Sequence, residues 1–460
     1  MNDPKTRDSD TPRLLLLADH PSLHRGFATV AREVAGHLHD HGRWQVSMIG
    51  YYPPDPDWRS PGYPVLSLDP NDVPRSERRA RLSGALTTIL SDPQQSPQVI
   101  LCMGTDFDLA AVADVLETSR ARERLTLIGY TPIDYAPLPT AAMDVFARYD
   151  RLVPYTRLAR EALVDCALRA GVDPGFIADP IPHGVDTGHF KPLSAAERGR
   201  ARRELFGLAP NTLLVGYFGR NSRNKRIDIV LRLFALVVNG NYVLCRDCAA
   251  TSAGDLDRDG RPLSPPRSCN ACGGSKLEAG RPRQDIWLYL HTDLDAHRAG
   301  SASGGRDLRA IARALDVEQR VLFRDDIRIG RGDRVDALAR RMAACDLHML
   351  PYHCAGWELT VLETGACGVP NIITEVFSPP EYAEPFSWLV PVGSYVLGRD
   401  VQALMDTDLG LLALKTLLED PARRQALAAQ GPRVAATLDW QRVAAAWGGL
   451  LEPFRVKFCE

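Results

Sequence analysis

The segment Gly219-Arg220-Asn221-Ser222-Arg223-Asn224-Lys225 places a guanidinium near one end of a short loop and an ammonium at the other. Arginine can grip two oxygens at once, while lysine acts as a point charge, so the pair suits a diphosphate. Taken alone, the same residues also fit a solvated basic turn. A second segment, Ala355 to Pro370, reads as a loop, an amphipathic helix and a turn at Gly368, followed by a buried strand at Asn371-Ile-Ile-Thr. The first N–H groups of a helix are unpaired and point outward, which makes its start an anion site. Leu359 and Thr360 open that helix, and Glu363 falls about one turn into it, within reach of a ribose diol. Phosphate plus ribose points to a nucleotide-linked donor.

The other strong constellation is Cys245-x-x-Cys248 and, twenty residues on, Cys269-x-x-Cys272. Each pair offers two thiolates from one tight knuckle, and four thiolates close a tetrahedral zinc site. Asn270-Ala-Cys-Gly-Gly suits the tight turn beneath sulfur–metal bonds. With four protein ligands the zinc is expected to be structural. Cys102, Cys166, Cys345, Cys354, Cys367 and Cys459 lack such spacing, and most of them read as small core residues.

Elements that would position these groups alternate between apolar runs and helical patterns, the signature of α/β units with parallel sheets. Leu14–Ala18, Val46–Gly50, Val99–Met103, Leu125–Tyr130 and Arg151–Tyr155 read as strands, with a helix from Phe27 toward Gly42. A second unit begins near Leu213. Its strands are expected at Leu213–Phe218, Ile286–Leu290, Val321–Arg324 and Leu347–Leu350, with helices at Ile227–Val238 and Trp440–Phe454. Residues 241–283, rich in Gly, Pro, Ser and charge, interrupt this unit between a helix and a strand, where an insertion harms a sheet least.

Two further loops carry candidate groups. Asp19 to Gly26 follows the first strand; Gly26 allows close backbone approach to a ligand, and His20 and His24 are candidate acid–base groups there. Tyr130-Thr-Pro-Ile-Asp134 leaves a strand at the sheet edge that ligands favour. Asp134 can orient a sugar or acceptor hydroxyl, although Asp in a Pro-rich segment is also an ordinary turn former.

Ala355 to Pro370 resembles the donor-site motif of the family-4 glycosyltransferases, which runs Glu-Gly-Phe-Gly-Leu, a short apolar step, then Glu-Ala-Met-Ala-Cys-Gly-x-Pro. Glu363 matches the second glutamate. The first falls on Ala355, and Glu358 stands where the family usually has its second glycine. Gly219-Arg220, four residues and Lys225 match the family's Gly-Arg…Lys spacing. Gly26-Phe27 with Val-Ala-Arg-Glu resembles its first helix start, and Ile181 to Pro192 resembles its hinge.

The resemblance implies a GT-B fold, two Rossmann-like domains facing across a cleft. The first would be 1–190 plus a returning helix at 437–460, the second a donor-binding domain at 191–436, with a zinc ribbon at 241–283. It further implies a nucleotide-sugar-dependent hexosyltransferase that retains configuration and needs no catalytic metal. Gly26, Gly219, Arg220, Lys225, Leu359, Thr360 and Glu363 would bind the donor. Arg220, Lys225, Glu358 and Asp134 would act in catalysis, with Glu358 taking over part of the missing glutamate's work beside the sugar.

The bulk numbers limit the alternatives. The 460 residues, 45% hydrophobic and 24% charged, suffice for two or three cored domains. A formal net charge of −2 gives no global attraction to nucleic acid or membrane. Met1–Pro12 is polar without an apolar signal core, and Leu14–Leu17 is too short to span a bilayer, so a cytoplasmic protein is expected. Acceptors left open are a small molecule, a lipid, a glycan, or a hydroxymethylated base in DNA gripped with help from the ribbon. Against the last, Arg246, Arg261, Arg267, Lys276, Arg281 and Arg283 are nearly cancelled by Asp247, Asp255, Asp257, Asp259 and Glu278. A non-catalytic sugar-nucleotide or nucleic-acid binding protein is the remaining reading.

Overall fold

Runs of buried aliphatic residues build two parallel sheets, one in each of two units of the chain. The computed structural model describes residues 11–459 apart from 42, 53, 56–57, 60–61, 69–74, 93–94, 118, 253–254, 257–261, 265–266, 270, 299–303, 328–331 and 398–400. Arg261, Asp257, Asp259 and Asn270 therefore lie outside the described residues, as does most of Met1–Pro12. One unit is the chain up to Gly184 with Leu438 onward; the other is Val185–Thr437.

The first unit carries β1 (Arg13–Asp19), β2 (Gln45–Tyr51), β3 (Val65–Leu68), β4 (Val99–Met103), β5 (Thr126–Tyr130) and β6 (Arg151–Val153). They lie in the order β3-β2-β1-β4-β5-β6, all parallel. Leu14–Leu17 on β1 and Val99–Cys102 on β4 are fully buried, as expected for central strands covered on both faces. The helix Gly26–Asp40 buries Ala28, Val30, Ala31, Val34, Ala35 and Leu38 at helical spacing. The terminal helix Trp440–Cys459 joins this unit, with Trp447 buried edge-on to Tyr130 at 4.9 Å. The chain leaves the unit at Gly184, where a Cβ would meet the Trp440 ring at 2.6 Å.

The second unit carries β7 (Leu213–Phe218). An insert follows, containing β8 (Val243–Cys245), β9 (Thr251–Ser252), β10 (Asp255–Leu256), β11 (Pro262–Ser264) and β12 (Leu277–Ala279). The main sheet resumes with β13 (Ile286–His291), β14 (Val321–Phe323), β15 (Leu347–Leu350), β16 (Asn371–Thr374) and β17 (Ser387–Val390), and a hairpin of β18 (Val392–Leu397) and β19 (Val401–Met405) follows. The order β14-β13-β7-β15-β16-β17, all parallel, repeats that of the first unit.

Two buried polar groups of the second unit, Asp346 and His348, have specific partners. Asp346 accepts from Leu214 N–H at 2.8 Å and pairs with Arg202 at 2.7 Å. His348 contacts Asn371 Oδ1 through Nδ1 at 2.5 Å and accepts from Phe218 N–H through Nε2 at 3.4 Å, an arrangement that needs a neutral ring. Burial accordingly lowers its pKa to about 4.

Candidate functional site

In a sheet of this order, consecutive crossovers diverge on either side of the central strand pair, leaving a crevice at the strands' carboxyl ends. In the second unit that pair is β7 and β15, in register Leu347–Val215 and His348–Gly216. The loop after β7 holds Gly219 to Lys225, and the loop after β15 ends at Glu358, so the two candidate segments leave the sheet side by side. A backbone bond from His353 N–H to the Asn224 carbonyl, 3.0 Å, joins them.

The first loop is held from several sides. Tyr217 hydroxyl donates to the Arg220 carbonyl at 2.8 Å. Buried Asn221 accepts from Arg306 N–H at 2.9 Å and donates to the Arg306 carbonyl at 2.8 Å. Arg220 is exposed, and among the described residues its guanidinium makes no ion pair. Lys225 is turned inward and bonds the Glu358 carboxylate, with side-chain exposures of 11% and 8%. Positive φ at Arg226, 49°, ends the loop and starts the helix Ile227–Asn239.

Glu358 is the residue before the helix Leu359–Ala366. Its N–H donates to Tyr382 hydroxyl and its carbonyl accepts from the same hydroxyl, both at 3.0 Å. Tyr382 in turn stacks on Trp357 at 4.0 Å. Ala355, where the resemblance would have a carboxylate, is buried. In the helix, Thr360 Oγ1 is buried and has no hydrogen-bond partner among the described residues. Glu363 is half-buried, and desolvation pushes its carboxyl up to about 7. Thr364 anchors the inner face by donating to Asn371 Oδ1 at 2.8 Å. The geometry thus offers an exposed guanidinium, an inward ammonium and the positive end of a helix at one sheet edge.

In the first unit the corresponding loops follow β1 and β4. His20 is buried, its Nδ1 2.8 Å from Ser22 Oγ and its ring edge-on to Trp58 at 4.9 Å, and burial lowers its pKa. Gly50 has to be glycine for this, since a Cβ would sit 2.7 Å from the His20 ring. His24 and Gly26 are exposed, and Arg25 stands 4.0 Å from Asp19 and 4.3 Å over the Tyr52 ring. Asp134 is half-buried after β5. With Asp108 it acts on Tyr155, whose buried hydroxyl has no hydrogen-bond partner among the described residues; burial first, then these carboxylates, raises that phenol well above its usual pKa. Asp108, beside them, accepts from Thr105 N–H and Oγ1 at 2.8 Å.

The insert brings the four expected cysteines together: one ligand atom from each of Cys245, Cys248, Cys269 and Cys272 lies within 4.8 Å of the others. Strands β12, β8 and β9 form its antiparallel sheet. Left-handed backbone at Ala249 and Gly273, φ 62° and 72°, turns the chain directly after each Cys-x-x-Cys. Backbone N–H groups of Cys272 and Ala271 bring the Cys269 thiol to about 7, toward the thiolate that a metal takes. A Cβ on Gly274 would meet the carboxylate of exposed Asp247, which would have to turn aside. Thr251 Oγ1 donates to the Asp408 carbonyl at 3.1 Å and ties the insert to the helix Thr407–Glu419. Arg246 and Arg281 pair with Glu278, and Lys276 with Asp247.

Sequence reasoning did not anticipate the Lys225–Glu358 pair or the Tyr382 clamp. The residues are far apart in the chain, and only the β7–β15 adjacency brings them together. A motif read along the chain carries no signal for it.

No family model matches the chain. It is similar to the D-inositol 3-phosphate glycosyltransferase of Rhodococcus opacus (strain B4), 28% identical over 316 residues that cover 68% of this chain and 54% of that protein. The enzyme of the same description from Rhodococcus jostii (strain RHA1) shows the same identity and coverage, 28%, 68% and 54%. The chain spans about half the length of these curated relatives. Among solved structures, sucrose-phosphate synthase from Thermosynechococcus elongatus superposes with a TM-score of 0.68 at 18% identity, covering 97% of this chain and 100% of that one. Anabaena Alr3699/HepE in complex with UDP and glucose gives 0.64 at 15% identity, covering 96% and 100%. The chain has the GT-B fold.

Proposed function

We propose that the chain is a glycosyltransferase that moves a hexose from a nucleoside diphosphate to an acceptor hydroxyl. The observation that carries this reading is the departure of the Arg220–Lys225 loop and the Glu363 helix from adjacent strands at the sheet's switch point. Arg220 would grip the diphosphate from the exposed side, Lys225 from within, and the helix start at Leu359 and Thr360 would add N–H donors. As the sugar–phosphate bond breaks, negative charge grows on the departing diphosphate, and these fixed groups stabilise it most at that moment. Glu363 would accept the ribose hydroxyls. Retention of configuration, with no catalytic metal, follows from the motif resemblance. The HepE complex with UDP and glucose supports a UDP-sugar as the first donor to try, and the description of the inositol-phosphate relatives supports glycosyl transfer.

The acceptor is assigned to the carboxyl edge of the first unit, where Asp134 would orient a hydroxyl. Asp19, Asp55, Asp106, Asp108 and Asp134 lie in the segments leaving that edge or the helix start beside it. Arg25 is already engaged by Asp19 and Tyr52. This balance favours an uncharged hydroxyl acceptor over a phosphate backbone, and the self-paired cations of the insert agree. The four cysteines fit one zinc ion with all positions filled by protein, a structural staple for the insert.

Turnover of Arg220→Ala and Lys225→Ala tests the donor reading. Each should fall about ten- to a thousandfold, the scale of a lost transition-state charge contact. Two variants within twofold of wild type would refute the assignment.

A further inference from the structure

We infer that Glu358 is a resident counter-ion for Lys225, which the donor's diphosphate must displace to bind. The inference rests on the donor reading above and adds a competing anion to it. Lys225 and Glu358 are hydrogen-bonded, and both side chains are nearly buried. Glu358 cannot retreat as a whole, because Tyr382 clasps its backbone N–H and carbonyl and is itself stacked on Trp357. Only the carboxylate can turn. It sits close enough to the phenols of Tyr217, Tyr352 and Tyr382 to contribute, after burial, to raising their pKa values. Tyr217 is the residue whose hydroxyl holds the Arg220 carbonyl. The carboxylate therefore stands at Lys225 and beside the Tyr217 phenol, at a position where the motif it resembles carries glycine.

Two anions cannot share one buried ammonium without strong repulsion. A phosphate arriving at Lys225 has to take the ammonium from Glu358 and leave that carboxylate to turn outward. Part of the ligand's binding energy goes into this exchange. A ligand that also brings a base and ribose can meet that cost, whereas a bare phosphate anion cannot. Glu358 would then act as a specificity-determining residue that rejects free phosphate and diphosphate at a strongly cationic loop.

The test is calorimetric titration of wild type, Glu358→Gln and Glu358→Gly with UDP, GDP and ADP, with the matching nucleosides, and with inorganic pyrophosphate. The expected result for both variants is at least tenfold tighter binding of the preferred nucleoside diphosphate. Its nucleoside should bind within twofold of wild type, and pyrophosphate binding should become measurable. Adding Lys225→Met to either variant should abolish the gain. Unchanged or weaker diphosphate binding, with nucleoside binding intact, would overturn the inference and make Glu358 a supporting part of the donor site. If no nucleotide or nucleoside binds any of the proteins, the donor reading fails. Pyrophosphate then decides for the counter-ion alone: binding to the variants but not wild type supports it, and binding to none overturns it.

Discussion

Glu363 makes a prediction whose size follows from its surroundings. Desolvation raises its carboxyl from 4.5 to about 7 in the folded chain. A raised carboxyl favours the folded state only while it is protonated. Its contribution is complete below the unfolded pKa near 4.5 and is lost as pH climbs through 7. At about 1.36 kcal/mol per pKa unit, ionising this buried group costs at most about 3.4 kcal/mol above pH 7. Part of the side chain reaches solvent, so about 2–3 kcal/mol is expected. Glu363→Gln removes the ionisation. The variant should match wild type at pH 4.5 and exceed it by about 4–10 °C in Tm at pH 8.5, for a unit of this size. Scanning calorimetry at half-unit steps of pH would read this directly. The same change should weaken nucleoside diphosphate binding, because an amide is a poorer acceptor for two ribose hydroxyls than a carboxylate. Parallel melting curves for the two proteins from pH 4.5 to 8.5 would refute the burial argument. Higher stability with unchanged nucleotide affinity would refute the ribose role.

Elemental analysis of purified protein should find one zinc per chain, and Cys269→Ser should lose it, with a lowered melting temperature for the second unit and unchanged nucleoside diphosphate affinity. His348 is held neutral with a pKa of about 4, so its contribution is complete above pH 6.5 and is lost as pH falls toward 4. The acid limb of the second unit's stability should therefore steepen below pH 6.5, by up to about 1.36 kcal/mol per pH unit. His348→Gln should flatten that limb in a urea titration series, and an unchanged slope would count against the neutral-ring arrangement.

Most of the framework was legible because both sheets rest on continuous apolar strands. Leu14–Ala18 appears as β1 at Arg13–Asp19, and Asn371-Ile-Ile-Thr as β16. β3 escaped notice because it is a four-residue edge strand whose middle residues, Leu66 and Ser67, face solvent. The hairpin β18–β19 escaped for a related reason: Tyr395 is 65% exposed and Val396 45%, and the alternation that buries Ala403 and Met405 on β19 spans too few residues to stand out. The cysteine set was readable because its spacing encodes two knuckles that must meet. His20 read as a possible acid–base group, yet packing against Trp58 and Ser22 makes it a pillar of the first loop. Arg202 and Asp346 form a buried pair that nothing in the local sequence around either residue signals. A Cβ on Gly431 would run into the Gly365 carbonyl of the Glu363 helix, a close approach that the sequence around Gly431 does not announce. Contacts of this kind depend on which strands become neighbours, information that short motifs do not contain.

The central claim is sugar transfer from a nucleoside diphosphate. Its most direct test incubates the protein with UDP-, GDP- and ADP-hexoses and a set of neutral polyol and glycan acceptors, and follows products by mass spectrometry. The account predicts release of one nucleoside diphosphate for each acceptor molecule that gains one hexose, at a rate cut at least tenfold by Arg220→Ala, as for a lost charge contact. Tight nucleotide binding with neither transfer nor donor hydrolysis, across every donor and acceptor, would contradict it and leave a binding protein built on the GT-B fold.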